Sequence, residues 1–262
     1  MKTILFRQGS KSKIAEKILP LFPKHTTFVD MFFGAGGLFF KKQKVKYNIC
    51  NDLDSDVFNL WKVLQDEKTK DEFYDYMNNI IHHDDLLEYW KTNNEEEPIK
   101  KAARFIFMSN FTIVSGGSTL VHLNYVPKNV VIRKIEETWN FLKDDVSFMN
   151  KDFRNVLENI NRVLYTQEKG MFVYADPPYS KTNSIQYGEN WNQKDTEDLF
   201  KLLVESGLRF AISEFDSSLI LELVEKYELY ITEIGERKNI GNTRNEILVT
   251  NYDVKKIRKK LF

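Results

Sequence analysis

The chain has 262 residues, 42% of them hydrophobic, enough for one sizeable core and a smaller appended lobe. Its 38 basic and 38 acidic residues cancel to zero formal charge, which excludes a uniformly basic nucleic-acid binder, so any such contact must come from a local patch. A single cysteine, Cys50, excludes an internal disulfide. No apolar run reaches the roughly 20 residues of a membrane helix, and the start lacks a signal-peptide core, so a soluble, cytoplasmic protein is expected.

Apolar residues at helical spacing predict a first helix over 12–21, with Pro20 and Pro23 limiting its end. Residues 26–32 read as a strand that enters the glycine turn Gly34-Ala35-Gly36-Gly37. Leu38-Phe39-Phe40 then reads as the start of a helix, and residues 47–50 as a second strand ending at Asn51-Asp52. Strand, turn, helix and strand form a βαβ unit, the mark of a parallel sheet. From 56 to 146 the pattern becomes helical, at 56–66, 71–81, 98–109 and 133–143, with charged segments between. Two β-prone runs around Gly116-Gly117 predict a hairpin near 110–127. The α/β pattern resumes with a strand over 170–175, a helix over 195–206, a strand over 209–213 and a helix over 218–227. It closes with strands over 230–234 and 246–252, separated by a polar loop. The expectation is an α/β catalytic domain from 1–55 and 147–262, interrupted by a mostly helical lobe over 56–146.

The chemistry begins at the glycine turn. Glycine lets backbone approach a ligand closely, and a turn after a strand lies at the carboxyl edge of the sheet, where open α/β sheets bind ligands. Asp52 ends the next strand, about 20 residues on, where a carboxylate can accept from both ribose hydroxyls; the same residue can equally cap the following helix. There is no full G-x-G-x-x-G and no phosphate loop, which argues against a dinucleotide or triphosphate. S-adenosylmethionine carries no phosphate and suits the turn better. Asp176-Pro177-Pro178-Tyr179 directly follows the strand over 170–175. Two prolines fix φ and lack N–H groups, so they make a rigid corner with free carbonyls. An aspartate and a proline carbonyl in one cleft offer two acceptors to an amino group. Accepting both N–H bonds of adenine N6 would concentrate its lone pair toward a methyl donor, and Tyr179 would stack on the base. The four histidines show no metal-ligand spacing, and no metal is expected.

Phe6-Arg7-Gln8-Gly9-Ser10-Lys11, Asp30-Met31-Phe32-Phe33-Gly34-Ala35-Gly36-Gly37, Asn51-Asp52 and Asp176-Pro177-Pro178-Tyr179 occur in this order. Together they resemble the D12-class (Dam-like) adenine-N6-specific DNA methyltransferases over nearly the whole chain. Gly241-Asn242-Thr243-Arg244-Asn245-Glu246 is similar to the family's closing segment. The resemblance implies a Rossmann-like S-adenosylmethionine-dependent methyltransferase fold with an inserted target-recognition lobe that binds double-stranded DNA. It implies that Arg7 and Lys11 lie beside the donor, with Lys11 on its carboxylate, although the family usually carries an aromatic residue at the place of Arg7. It further implies that Asp30, Phe32, Gly34 and Gly36 line the donor pocket and that Asp52 takes the ribose. Asp152 and Phe153 would lie at the donor's adenine, and Asp176 would serve both donor and target. Lys11 as a solvated lysine and Phe153 as plain core remain open alternatives.

Departures concentrate in the lobe. Relatives specific for GATC carry an arginine in the recognition hairpin, and none occurs in Ile113-Val114-Ser115-Gly116-Gly117-Ser118. Ile113 and Val114 either wedge between bases or fold the hairpin onto the lobe. Asn110 and Ser118 are further candidate DNA contacts. Lys128, Arg133 and Lys134, with Arg237, Lys238 and Arg244, are the candidates for phosphate. The basic tail from Lys255 either touches backbone or forms a solvated helix.

Overall fold

The computed structural model describes residues 1–7, 9–81, 83–112, 128–164, 170–178, 191–239 and 242–258. Seven strands form one sheet: β1 (Thr27–Asp30), β2 (Tyr47–Asn51), β3 (Val146–Met149), β4 (Met171–Ala175), β5 (Arg209–Phe215), β6 (Tyr230–Asn239) and β7 (Asn242–Thr250). Their spatial order is β3-β2-β1-β4-β5-β7-β6. The first five pair in parallel, and β7 runs antiparallel between β5 and β6. β1 and β4 are neighbours whose chains leave in opposite directions, so the sheet opens a ligand crevice between their carboxyl ends. This is a Rossmann-like methyltransferase arrangement.

The helices among the described residues are α1 (Ala15–Ile18), α2 (Ser55–Gln65), α3 (Glu67–Asn79), α4 (Asp84–Thr92), α5 (Pro98–Asn110), α6 (Lys128–Leu142), α7 (Phe153–Leu164), α8 (Gln193–Glu205), α9 (Ser218–Lys226) and α10 (Val254–Arg258). Strand residues alternate between two cores, as the pleat requires. Phe28, Phe172 and Tyr174 join Phe39, Trp61, Phe73 and Phe107 on one face. Val29, Val173 and Ile212 join Leu157, Phe200 and Leu223 on the other. The inserted helices therefore share a continuous core with the sheet. Trp61 of α2 is the joint: it is fully buried, and its indole N–H donates to the Gly34 carbonyl at 2.9 Å.

Several elements differ from the sequence expectation. The helix expected over 12–21 is two 3-10 turns around α1. The helix expected from Leu38 is a single 3-10 turn, Phe39–Lys41. Its rings pack on several sides at once, with Phe33, Trp61 and Phe141 around Phe40, so burial there needs no amphipathic helix. α4 occupies a stretch taken as charged linker, because Asp84 and Asp85 form its acidic first turn. β3 and α7 have no counterpart among the expected elements. The closing strands form the antiparallel edge hairpin their sequence suggests, but its pairing extends through the expected polar loop, from Glu236↔Asn245 to Asn239↔Asn242 beyond a register shift at Glu233/Gly235. The hairpin expected near 110–127 lies almost wholly outside the described residues.

Gly36 needs its missing side chain, since it holds φ +64 and an added Cβ would stand 2.7 Å from both the Phe33 and Phe40 rings. Gly36→Ala is expected to lower stability by about 2–4 kcal/mol, combining left-handed strain with overpacking, as read by urea unfolding. In the same assay Trp61→Ala should cost about 3–5 kcal/mol by cavity formation. Trp61→Phe, which mainly strips the donor from Gly34, should cost about 1–3 kcal/mol.

Candidate active site

β1, β2 and β4 end side by side, and each ends on a carboxyl group: Asp30, Asp52 just past β2, and Asp176 just past β4. Met31 N–H donates to the Tyr174 carbonyl at 2.9 Å, which ties the exit of β1 to β4 two residues before Asp176. Gly34, at φ +51, donates its N–H to Asp52 Oδ2 at 2.6 Å, and Asp54 N–H donates to Asp52 Oδ1 at 3.0 Å. The glycine turn and the end of β2 are thus one unit. Burial raises the Asp52 carboxyl to about 6, against the opposing pull of Arg7 and of the two N–H donors. Each carboxylate oxygen keeps a second lone pair for a ligand hydroxyl. A Cβ at Gly34 would meet nothing within 4 Å, so open space lies over the turn. Asp52 does not itself cap α2; that is done by Asp54, whose Oδ1 accepts from Asp56 and Val57.

Asp30 is 3% exposed, and its carboxyl is pushed well above the usual range by burial, then by the charges of Asp176 and Asp52. Asp30 thus feels the charges of both Asp176 and Asp52, as expected for groups at the adjoining carboxyl ends of β1, β2 and β4. Lys11 is a cation that enters this cluster, as Lys42 acts on Asp30 and Arg7 on Asp52. Its Nζ lies 2.7 Å from Asp176 Oδ1 and 3.0 Å from Glu246 Oε1. Burial alone would lower its pKa, but the two carboxylates outweigh that and raise it. The solvated alternative for Lys11 is excluded by a side chain only 4% exposed. Glu214 of β5 adds a further buried carboxyl, raised to about 8 by burial, despite its bond from Phe215 N–H. Arg7 pairs with Asp54 at 3.1 Å, beside Asp52.

An aromatic wall stands on the other side of β1. Phe32 meets Phe153 at 5.9 Å and Trp191 at 5.4 Å between ring centroids. Phe153 is buried, and Asp152 is held by Arg154, which also binds Asp195 and Asp198. Trp191, Arg154, Glu214 and the role of Glu246 escaped sequence reading. Buried charges inside apolar strand runs were the signal for the two glutamates.

The candidate DNA contacts scatter. Asn110 is buried, accepts from Phe6 N–H at 2.7 Å and donates to the Ile4 carbonyl at 2.8 Å. Its amide clamps the N-terminal segment, which corrects its reading as a base contact. Lys128 donates to the carbonyls of Asn78 and Ile80 at the end of α3, and Lys134 to that of Thr3. Arg133 bonds back to the Asn129 carbonyl on exposed α6, and the Arg244 guanidinium lies 5.4 Å over the Phe215 ring. Ile113, Val114, Ser118 and Tyr179 lie outside the described residues. Pro177 is buried and Pro178 half-buried.

A type II methyltransferase of Lactococcus lactis subsp. cremoris, M1.LlaDCHI, is 24% identical over 274 residues, covering 93% of each chain. The DNA adenine methylase of Escherichia coli strain K12 is 22% identical over 260 residues, covering 91% of this chain and 90% of its own. Among solved structures, the rRNA methyltransferase aviRa of Streptomyces viridochromogenes overlays loosely, with TM-score 0.43 and 13% identity over 94% of this chain and 87% of its own. The D12 class N6 adenine-specific DNA methyltransferase family matches residues 8–240, and the chain belongs to that family.

Proposed function

We propose that the protein methylates adenine N6 in double-stranded DNA by direct in-line transfer from S-adenosylmethionine to a base flipped out of the helix. The observation that carries this reading is that β2, β1 and β4 lie side by side and run out at Asp52, Asp30 and Asp176, at the β1/β4 switch point. When bound, the donor supplies an electrophilic methyl group on a sulfonium. Asp52 fits its ribose, because both carboxylate oxygens are already oriented by backbone N–H groups. Phe32 and Phe153 fit a flat base beside the turn. Arg7 steadies the Asp52 corner through Asp54.

Asp176 is 19% exposed, and in this reading its carboxylate and the Pro177 carbonyl are the two acceptors. Together they accept the two N–H bonds of the target amine and direct its lone pair at the methyl carbon. The N–C bond forms as the S–C bond breaks, and N6 releases one proton. Tyr179 stacks on the extruded base. Extrusion costs a few kcal/mol, which contacts to the DNA backbone must offset. Residues 67–97 hold ten acidic and three basic residues, so this part of the lobe repels phosphate. The duplex therefore approaches over 110–127, Arg133 and the β6–β7 hairpin with Arg244. Ile113, Val114 and Ser118 are the proposed contacts to bases in this arrangement. The lobe over 56–146 serves recognition, and 1–55 with 147–262 serves catalysis.

Nucleoside mass analysis of DNA incubated with protein and donor should show N6-methyladenine. Asp176→Ala should remove it, whereas Cys50→Ala, a change in the core with no contact to the crevice, should leave it; a folded, donor-binding Cys50→Ala protein without activity would refute direct transfer. Donor affinity should weaken as pH falls through about 6, by up to about tenfold per pH unit, because protonation of Asp52 removes an acceptor for ribose. Titration calorimetry across pH 5–8 on the parent and Asp52→Asn checks this, and the variant should bind weakly with a flat profile.

A further inference from the structure

We propose that Trp191 is a donor-binding residue, making with Phe32 the aromatic contact to the adenine of S-adenosylmethionine, and that Arg154 positions it by clipping the first turn of α8 to the first turn of α7. This rests on Asp52 as the carboxylate that takes the donor's ribose. The donor's adenine is one bond from that ribose, so its contact must stand beside Asp52. Two separate connections put the ring cluster there. Phe32 donates its N–H to Asp30 and lies two residues before Gly34, whose N–H is bonded to Asp52. From the other side, Asp52 N–H donates to the Met149 carbonyl, and the Asn150 amide donates to the carbonyls of Asp52 and Leu53, both at 2.8 Å. The Asn51 side chain is bonded to both backbone groups of Lys151. The segment that leads into Asp152 and Phe153 is thus bound along the end of β2.

The three rings of the wall are not equivalent. Phe153 is 3% exposed, with Trp191 at 5.5 Å between centroids and the Arg154 guanidinium 4.4 Å over its face, so it backs the wall. Phe32 and Trp191 are only partly buried, unlike the core rings of Trp61 and Trp90. They meet at 85°, so a flat base that stacks on one turns its edge to the other, and aromatic rings favour both contacts. The Trp191 indole N–H donates to Thr196 Oγ1 at 2.9 Å, which satisfies its polar edge and fixes the ring. Arg154 stands in the first turn of α7, where the helix end disfavours a cation. Three carboxylates reverse that preference. Nη1 lies 3.3 Å from Asp152, Nη2 2.7 Å from Asp195, and Nη2 and Nε lie 2.8 and 3.0 Å from Asp198. Asp152 accepts the Arg154 N–H at the start of α7, and Asp195 closes the cap of α8 with Asn192, the residue after Trp191. One planar fork therefore sets the spacing of both helix starts, and with it the place of Trp191 against Phe32. A lysine has no such fork.

The test follows tryptophan emission of the full chain titrated with S-adenosylhomocysteine, the demethylated donor, beside titration calorimetry. Of the four tryptophans, Trp61 and Trp90 are sealed in the core and Trp139 lies against Lys70 and Lys143. The analogue should quench emission, and Trp191→Phe should remove the quench while Kd rises by no more than about threefold. Trp191→Ala should raise Kd about tenfold or more, as loss of one base–aromatic stack does. Arg154→Lys should raise Kd about fivefold in the parent but less than about twofold in Trp191→Ala, because an effect passed through the ring vanishes with it. A Trp191→Ala Kd within about twofold of the parent overturns the contact, as does a quench that survives Trp191→Phe. Equal Arg154→Lys losses in both backgrounds overturn the positioning role. Should Trp191→Ala fail to fold, Trp191→Leu takes its place in the cycle. A parent that does not bind the analogue overturns this inference and the donor reading together. One that binds it through Trp191 yet leaves adenine unmodified counts against the adenine reading alone.

Discussion

Parallel pairing of β1 with β4 is the constraint on which the remaining structure depends. It sets Asp30 opposite Tyr174, so the glycine turn and the proline corner leave the sheet at the same level. The chain from β1 turns one way, to β2, and the chain from β4 turns the other, to β5. A crevice between them is then unavoidable, and the groups lining it are whatever residues end those strands. Here they are carboxyl groups, which makes electrostatics the second constraint.

The crowded acids are handled in different ways. Asp30, buried and beside two other acids, has its carboxyl pushed well above the usual range. Asp52 is held by two backbone N–H donors, one from the glycine turn itself, so the shape of that turn and the orientation of the carboxylate are a single feature. Asp176 and Glu246 share Lys11. Glu214 favours its neutral form at ordinary pH because burial dominates there. The same turn is braced by Trp61, so α2 contributes directly to holding it.

Much of the fold was legible because parallel strands buried on both faces read as apolar runs, as with β1, β4 and β5. α2, α5 and α6 showed their apolar faces plainly, within one to five residues of their ends. Failures have particular causes. Leu38-Phe39-Phe40 is apolar enough for a helix, yet its rings are surrounded by others, so hydrophobicity there reports burial and not period. β3 has only four residues and one buried position, too little for a two-residue alternation to emerge. The far half of the β6–β7 hairpin is polar, and a polar ribbon and a polar loop are alike in composition; only the pairing partner distinguishes them.

The chain order of glycine turn, strand-end aspartate and Asp-Pro-Pro-Tyr determined by itself the kind of fold and the family, because these depend on local backbone needs: left-handed φ at Gly34 and Gly36, fixed φ at Pro177 and Pro178. What each charged or polar side chain meets was decided by tertiary structure alone. Lys11 lies 165 residues from Asp176 and 235 from Glu246, and Asn110 lies 104 residues from the Phe6 amide it holds. Ion pairs and hydrogen bonds act over a few ångströms, so such partners are set only when the sheet and its helices bring the segments together.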